Sequence, residues 1–215
     1  MTISPDDDGR ASGSPVAEVT PRPLAGASIV TPGDWTELDL DPNTRHTSVR
    51  RAVRQAVIRS RGLAPDAVAL IRMLDRTCKQ AIESGAFYCA SRVIEDTTDG
   101  VLVATVVMQL QQPETVPLAA VPNLSVAQRC VVLAAVIKDD ADWSGANVGV
   151  VTLPFVGPAV RLRVEDGGTI VQYIAPLLGR YTALLVTFTC TCPPYAAVMT
   201  ELFDSMAQSV ALHYD

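Results

Sequence analysis

Apolar positions recur along this chain at two periods. From 46 to 60, Val49, Val53, Ala56 and Val57 fall at helical spacing. Asn43, Thr44 or Thr47 is placed to cap the start, and Gly62 to end the helix. A second helix follows, with Pro65 in its first turn and Gly85 at its stop. Its apolar stripe is Ala67, Ile71, Leu74, Cys78, Ala81 and Ile82; Arg72, Arg76, Lys79 and Glu83 take the other side. From Ala86 the period shortens to that of strands. Residues 86–95 and 101–111 flank Asp96-Thr97-Thr98-Asp99-Gly100, a hairpin signal.

Residues 112–123 hold Pro113, Pro117 and Pro122 and are expected to be a loop. Ser125-Val126-Ala127-Gln128 has the spacing of a capping box. The run to Ile137 is apolar nearly all round, which predicts a buried helix over 124–138. A strand is the competing reading, because Val131-Val132 and Val136-Ile137 are β-branched pairs. Strands are then predicted over 148–153, 159–165 and 169–175, with turns at Pro154–Pro158 and Asp166-Gly167-Gly168. In the second of them Val160, Leu162 and Val164 face one way, and Arg161, Arg163 and Glu165 the other. Residues 177–180 turn into a strand over 181–191, where Leu184, Val186, Phe188 and Cys190 share a face; Pro193-Pro194 breaks it. A last helix aligns Met199, Leu202, Phe203, Met206 and Val210.

Before the first helix the pattern differs. Residues 1–27 are polar, acidic and rich in Pro and Gly, so they are expected to form a disordered arm. Residues 28–215 are expected to form a single domain. Trp35, Leu38 and Leu40 among acids suggest a short edge strand or arm near its start. Segregated helices and antiparallel hairpins predict an α+β fold, with helices flanking an antiparallel sheet of about five to seven strands.

Charge sharpens this division. Residues 1–41 hold eight acids and two bases, which accounts for the whole net charge of -6. That balance argues against a generally basic nucleic-acid binder. The chain has 48% apolar residues and no basic leader followed by an apolar stretch, so neither a signal peptide nor a transmembrane segment is expected. Five cysteines, an odd number lying mostly in apolar runs, suit reduced thiols and a cytoplasmic location.

Three features invite a chemical reading. Arg45, Arg50, Arg51, Arg54, Arg59 and Arg61 fall in 17 residues that contain no acid. On a continuous helix Arg50, Arg54 and Arg61 project within about 40° of one another. They are the candidate partner-binding residues, for an anionic and most simply an acidic protein partner. The alternative is a solvated face in a chain where Arg outnumbers Lys 15 to 2, neutralised by its own acidic arm. Cys190-Thr191-Cys192 places two thiols on one side of a strand, but a zinc site needs four ligands. His46 and His213, the only histidines, do not have ligand spacing to the pair, so structural thiols are expected. Asp139-Asp140-Ala141-Asp142-Trp143-Ser144-Gly145 lacks the spaced ligands and closing Glu of a calcium loop, and reads as a solvated helix exit. No phosphate loop, dinucleotide fingerprint, nucleophile elbow or metalloprotease motif is present. No cofactor, metal or catalytic residue is expected.

Residues 169–210 carry a further pattern. Val171-Gln172-Tyr173-Ile174-Ala175-Pro176, then Leu184-Leu185-Val186-Thr187-Phe188-Thr189, then Glu201-Leu202-Phe203-Asp204-Ser205-Met206-Ala207 gives strand, strand, amphipathic helix. This order resembles small actinobacterial domains of the Mog1/PsbP-like type. The resemblance implies an antiparallel sheet flanked by helices, a binding or assembly role, and no transferable catalytic residue. The long helix pair before the first hairpin departs from the simplest form of that pattern.

Three functions therefore stand in order. The first is a noncatalytic protein-binding or assembly factor of the bacterial cytoplasm. The second is a carrier of a small apolar ligand, held between the sheet and helices 125–138 or 195–211. The third is an enzyme with an unrecognised site. Self-association is also expected, because the strands over 181–191 and 101–111 are apolar or β-branched on both faces and need covering.

Overall fold

A computed structural model describes residues 24–96, 100–111, 124–177 and 183–215. The expected loop over 112–123 and residues 1–23 of the expected arm lie outside the described residues. The chain is α+β. Its main sheet has seven strands in the order β2-β3-β4-β8-β7-β6-β5, every neighbour antiparallel. In chain order these are β2 (Thr36–Glu37), β3 (Ala86–Asp96), β4 (Gly100–Gln111), β5 (Asn147–Leu153), β6 (Gly157–Glu165), β7 (Thr169–Pro176) and β8 (Ala183–Cys190). A two-stranded ribbon pairs β1 (Leu24–Ser28) with β9 (Ala211–Tyr214). Among the described residues four α-helices accompany the strands: α1 (Arg45–Arg59), α2 (Ala67–Glu83), α3 (Val126–Asp139) and α4 (Ala196–Ala207).

Strand alternation sends successive side chains to opposite faces, and each face has its own helices. On one face Ala90, Val106, Met108, Val171, Tyr173, Leu184, Val186 and Phe188 meet Met199, Phe203 and Met206 of α4. Phe188 and Phe203 stack with centroids 5.0 Å apart, and Trp35 meets Phe203 edge-on at 6.5 Å. On the other face Cys89 and Val103 pack under Val49, Val53, Leu70, Leu74 and Cys78 of α1 and α2. Farther along that face, Val148, Val160 and Leu162 pack under Cys130, Leu133, Ala134 and Ile137 of α3. The edge strand β2 links two of these layers: Trp35, just before it, joins the α4 core, and Leu38, just after it, joins the α1–α2 core.

Several sequence expectations change here. Leu24–Ser28, of which residues 24–27 fall in the segment expected as a disordered arm, is a strand; β9 supplies the partner that a local reading could not see. α3 is a helix, closed at Ser125 by a capping box in which Gln128 N–H donates to Ser125 Oγ and Ser125 N–H to Gln128 Oε1. It is not buried all round: Val131, Val132 and Val136 face outward. The two-sided strands are largely covered within the chain. β8 places Leu184, Val186 and Phe188 under α4, and Leu185 is buried on the opposite face. The last helix stops at Ala207, yet Val210 is still fully buried beyond it.

The turn between β6 and β7 shows why two adjacent glycines are needed. Gly167 has φ +61°, a left-handed conformation that side chains disfavour. Gly168 needs its missing side chain for another reason. A Cβ there would lie 2.7 Å from the carbonyl oxygen of Cys190, closer than van der Waals contact allows.

Candidate functional site: the basic face of the α1–α2 pair

α1 and α2 lie side by side, anchored by their apolar stripes, so their outer faces make one surface. Ser48, Val49, Ala52, Val53 and Ala56 turn α1 inward. Arg50, Arg51 and Arg54 are thereby exposed on it, and Arg72, Arg76 and Lys79 are exposed on α2. These last three project within about 60° of one another at helical pitch. In the sequence the α1 arginines stand out as a run without acids, whereas Arg72, Arg76 and Lys79 read only as the polar side of a helix. The helical spacing of Arg72, Arg76 and Lys79 was the available signal, but joining the two sets required the helix packing.

Arg61 is placed differently from expectation. α1 ends at Arg59, and Ser60 is extended, with φ -141° and ψ 103°. Arg61 opens a separate short 3-10 turn, Arg61–Leu63, so its alignment with Arg50 and Arg54 on a continuous helix does not hold. It remains exposed at the end of the hairpin. Ser60 Oγ donates to Glu95 Oε2, which ties this turn to β3.

The remaining cations divide cleanly. Arg45 Nε bonds Asp75 Oδ1 at 2.9 Å, and His46 Nδ1 lies 3.0 Å from the same oxygen, so these two join the helices. Arg59 donates to the Asp34 carbonyl at 3.2 Å. Lys79 and Glu83 form an i,i+4 pair at 3.9 Å. Arg50, Arg54, Arg61, Arg72 and Arg76 make no ion pair with any described residue.

Beside this face an open cavity of about 410 Å³ is lined by Glu37, Leu38, Asp39, Leu40, Asp41, Arg51, Phe87 and Tyr88. Asp39 accepts from Thr44 Oγ1 and from the Asp41 N–H, and these bonds, with the Arg51 charge, hold its carboxyl below the usual range. Thr44 thus spends its hydroxyl on Asp39 instead of capping α1. Burial pushes the Tyr88 hydroxyl up. A carboxylate-lined notch therefore adjoins a guanidinium-lined ridge.

The other candidates settle into the framework. All five cysteines are buried. Cys190 and Cys192 belong to the α4 core, where Cys190 Sγ donates to the Cys192 carbonyl at 3.8 Å. Cys78 and Cys89 bridge α2 and β3, and the hydrogen bond to Cys78 together with burial pushes the Cys89 thiol far up. No group of three or more His, Cys, Asp or Glu side chains able to hold a metal occurs among the described residues. Asp139–Gly145 is an exposed helix exit, where Asp140 Oδ1 accepts from the Asp142 N–H at 3.0 Å. Where α3 and α4 pack on the sheet, Cys130 and Phe203 are fully buried.

Among the described residues no helix is long and apolar enough to cross a membrane. No family model matches this chain, and no curated protein does. The chain is similar to a crystal structure of LpqN, described as involved in cell envelope biogenesis of Mycobacterium tuberculosis. Identity is 8%, the match covers 91% of this chain and 87% of that one, and the TM-score is 0.40. A likeness of that level carries no functional argument.

Proposed function

We propose that this chain is a noncatalytic protein-binding or assembly factor of the bacterial cytoplasm, which docks an acidic protein surface on the α1–α2 face. The observation that supports this reading is that Arg50, Arg51, Arg54, Arg61, Arg72 and Arg76, exposed on two packed helices and the turn between them, form no ion pair with any described residue. A guanidinium pairs a carboxylate through two parallel hydrogen bonds and is less strongly hydrated than an ammonium group, so it is desolvated at lower cost. The Mog1/PsbP-like resemblance of residues 169–210 points to the same class of role.

The test is affinity capture from native lysate with the wild-type chain and with Arg50→Glu/Arg54→Glu, followed by reconstitution with the captured protein. The reading expects an acidic partner that the double variant fails to retain while its circular dichroism is unchanged. Equal retention by both chains defeats it. So does selective binding of the wild type to nucleic acid or anionic vesicles in place of a protein.

A further inference from the structure

The outward side of α3 carries a pattern that the basic face does not explain. Arg129, Val132, Val136 and Asp139 succeed one another at separations of three, four and three residues. At helical pitch they lie within about 80° of one another, forming one ridge along the helix. Val132 and Val136 are 39% and 51% exposed, unusual for a helix whose opposite side is sealed onto β5 and β6 by Leu133, Ala134 and Ile137. Val131, 60% exposed, lies about 100° round the helix from Val132 and outside this ridge. Arg129 is half-buried and gives its Nε–H to the Leu124 carbonyl at 3.2 Å; Asp139 is exposed, and neither forms an ion pair with a described residue.

We propose that this ridge is a homodimer contact, in which α3 packs antiparallel against α3 of a second copy about a two-fold axis between Val132 and Val136. The pattern is self-complementary under that rotation. Val132 of one copy meets Val136 of the other, and Arg129 meets Asp139, twice over by symmetry. The 3-4-3 spacing is that of adjacent a and d positions, and in an antiparallel helix pair an a position faces a d position. A parallel pairing would stack Arg129 on Arg129 and Asp139 on Asp139, so charge selects the antiparallel arrangement. One helix ridge buries less than the roughly 1,200 Å² of a standard interface, so the dimer belongs to the weak, reversible class.

Sedimentation equilibrium over a range of concentrations tests this with charge exchange. Arg129→Asp puts like acidic charges in both pairs, and Asp139→Arg puts like basic charges in both. Each variant alone is expected to dimerise at least about tenfold more weakly than wild type. Mixed in equal amounts, the two restore opposite charges in both pairs and are expected to recover heterodimers of near wild-type affinity. Val136→Lys is expected to abolish association with its helical circular dichroism retained. A wild-type chain that stays monomeric at high micromolar concentration overturns the proposal, whether α3 is then covered by another protein or by lipid. So does a dimer that forms with single-variant and wild-type chains alike, or a mixture that fails to recover it.

Discussion

Arg161 on β6 grips Asp204 on α4 through two parallel hydrogen bonds, Nε to Oδ1 at 2.8 Å and Nη2 to Oδ2 at 3.0 Å. Tyr173 on β7 donates its hydroxyl to the same Oδ1. Three elements are thus fastened at one carboxylate, on the rim of the core built around Phe203.

This clamp has a measurable cost of removal. Asp204→Ala leaves the Arg161 guanidinium, only 18% exposed in its side chain, without its counter-charge. Breaking a fully buried pair costs about 3–5 kcal/mol and an exposed pair contributes about 0–1. Asp204 is 39% exposed, so solvent screens the pair and about 1–2 kcal/mol is expected, read as a lower urea midpoint with unchanged slope. Replacing both partners, Arg161→Met with Asp204→Leu, should recover much of the loss, because no charge is then stranded.

Tyr173 gives the same cluster a pH signature. Burial first, then its bond to Asp204, raises its hydroxyl above the ordinary value of 10.0. A raised folded-state value means that the folded chain holds this proton after the unfolded chain has lost it. The contribution is therefore complete below pH 10.0 and is lost as pH climbs from there toward the folded-state value. Stability measured up the alkaline limb should fall more shallowly in Tyr173→Phe than in wild type. Identical slopes would mean that the hydroxyl titrates alike in both states.

Most of this framework was legible in the sequence, for reasons specific to each element. Alternation in Val160-Arg161-Leu162-Arg163-Val164 named both faces of β6, because a strand has only two sides and α3 and α4 take one each. The Ser125–Gln128 capping box settled α3 as a helix, since both of its hydrogen bonds form within four residues. β1 and β9 were illegible: each is short, and Leu24 and Tyr214 are partners across nearly the whole chain. The outward valines of α3 misled, since an apolar helix is expected to be covered, and composition does not say by what. For the basic face, the α1 arginines were visible as a run without acids. Their union with Arg72 and Arg76 depends on packing that no local window contains, and Arg61 moved because Ser60 ends the helix.

The β6–β7 turn separates two uses of glycine. Gly167→Ala meets a strained backbone at φ +61° but has open space around it, and should cost about 1 kcal/mol. Gly168→Ala meets the Cys190 carbonyl oxygen at 2.7 Å, a backbone atom that cannot rotate away. Relieving that overlap shifts β8 or the turn and is expected to cost about 1–3 kcal/mol. Thermal unfolding of the two variants should rank Gly168→Ala below Gly167→Ala; the reverse order would place the constraint in the dihedral.

The extent of the proposed docking face is open to a direct measurement. If α1 alone binds, Arg72→Glu and Arg76→Glu on α2 should leave the affinity for a captured partner within about twofold of wild type, as peripheral charges do. If the face spans both helices, each reversal should weaken binding by about tenfold, near the effect of Arg54→Glu. Salt gives an independent reading. Exposed charges are screened over about 8 Å at physiological ionic strength, so wild-type affinity should fall steadily as salt is raised. A chain reversed at Arg72 and Arg76 should show a shallower salt dependence, having fewer attractive charges left to screen. An unchanged slope would confine the docking surface to α1 and leave the α2 arginines as a solvated face.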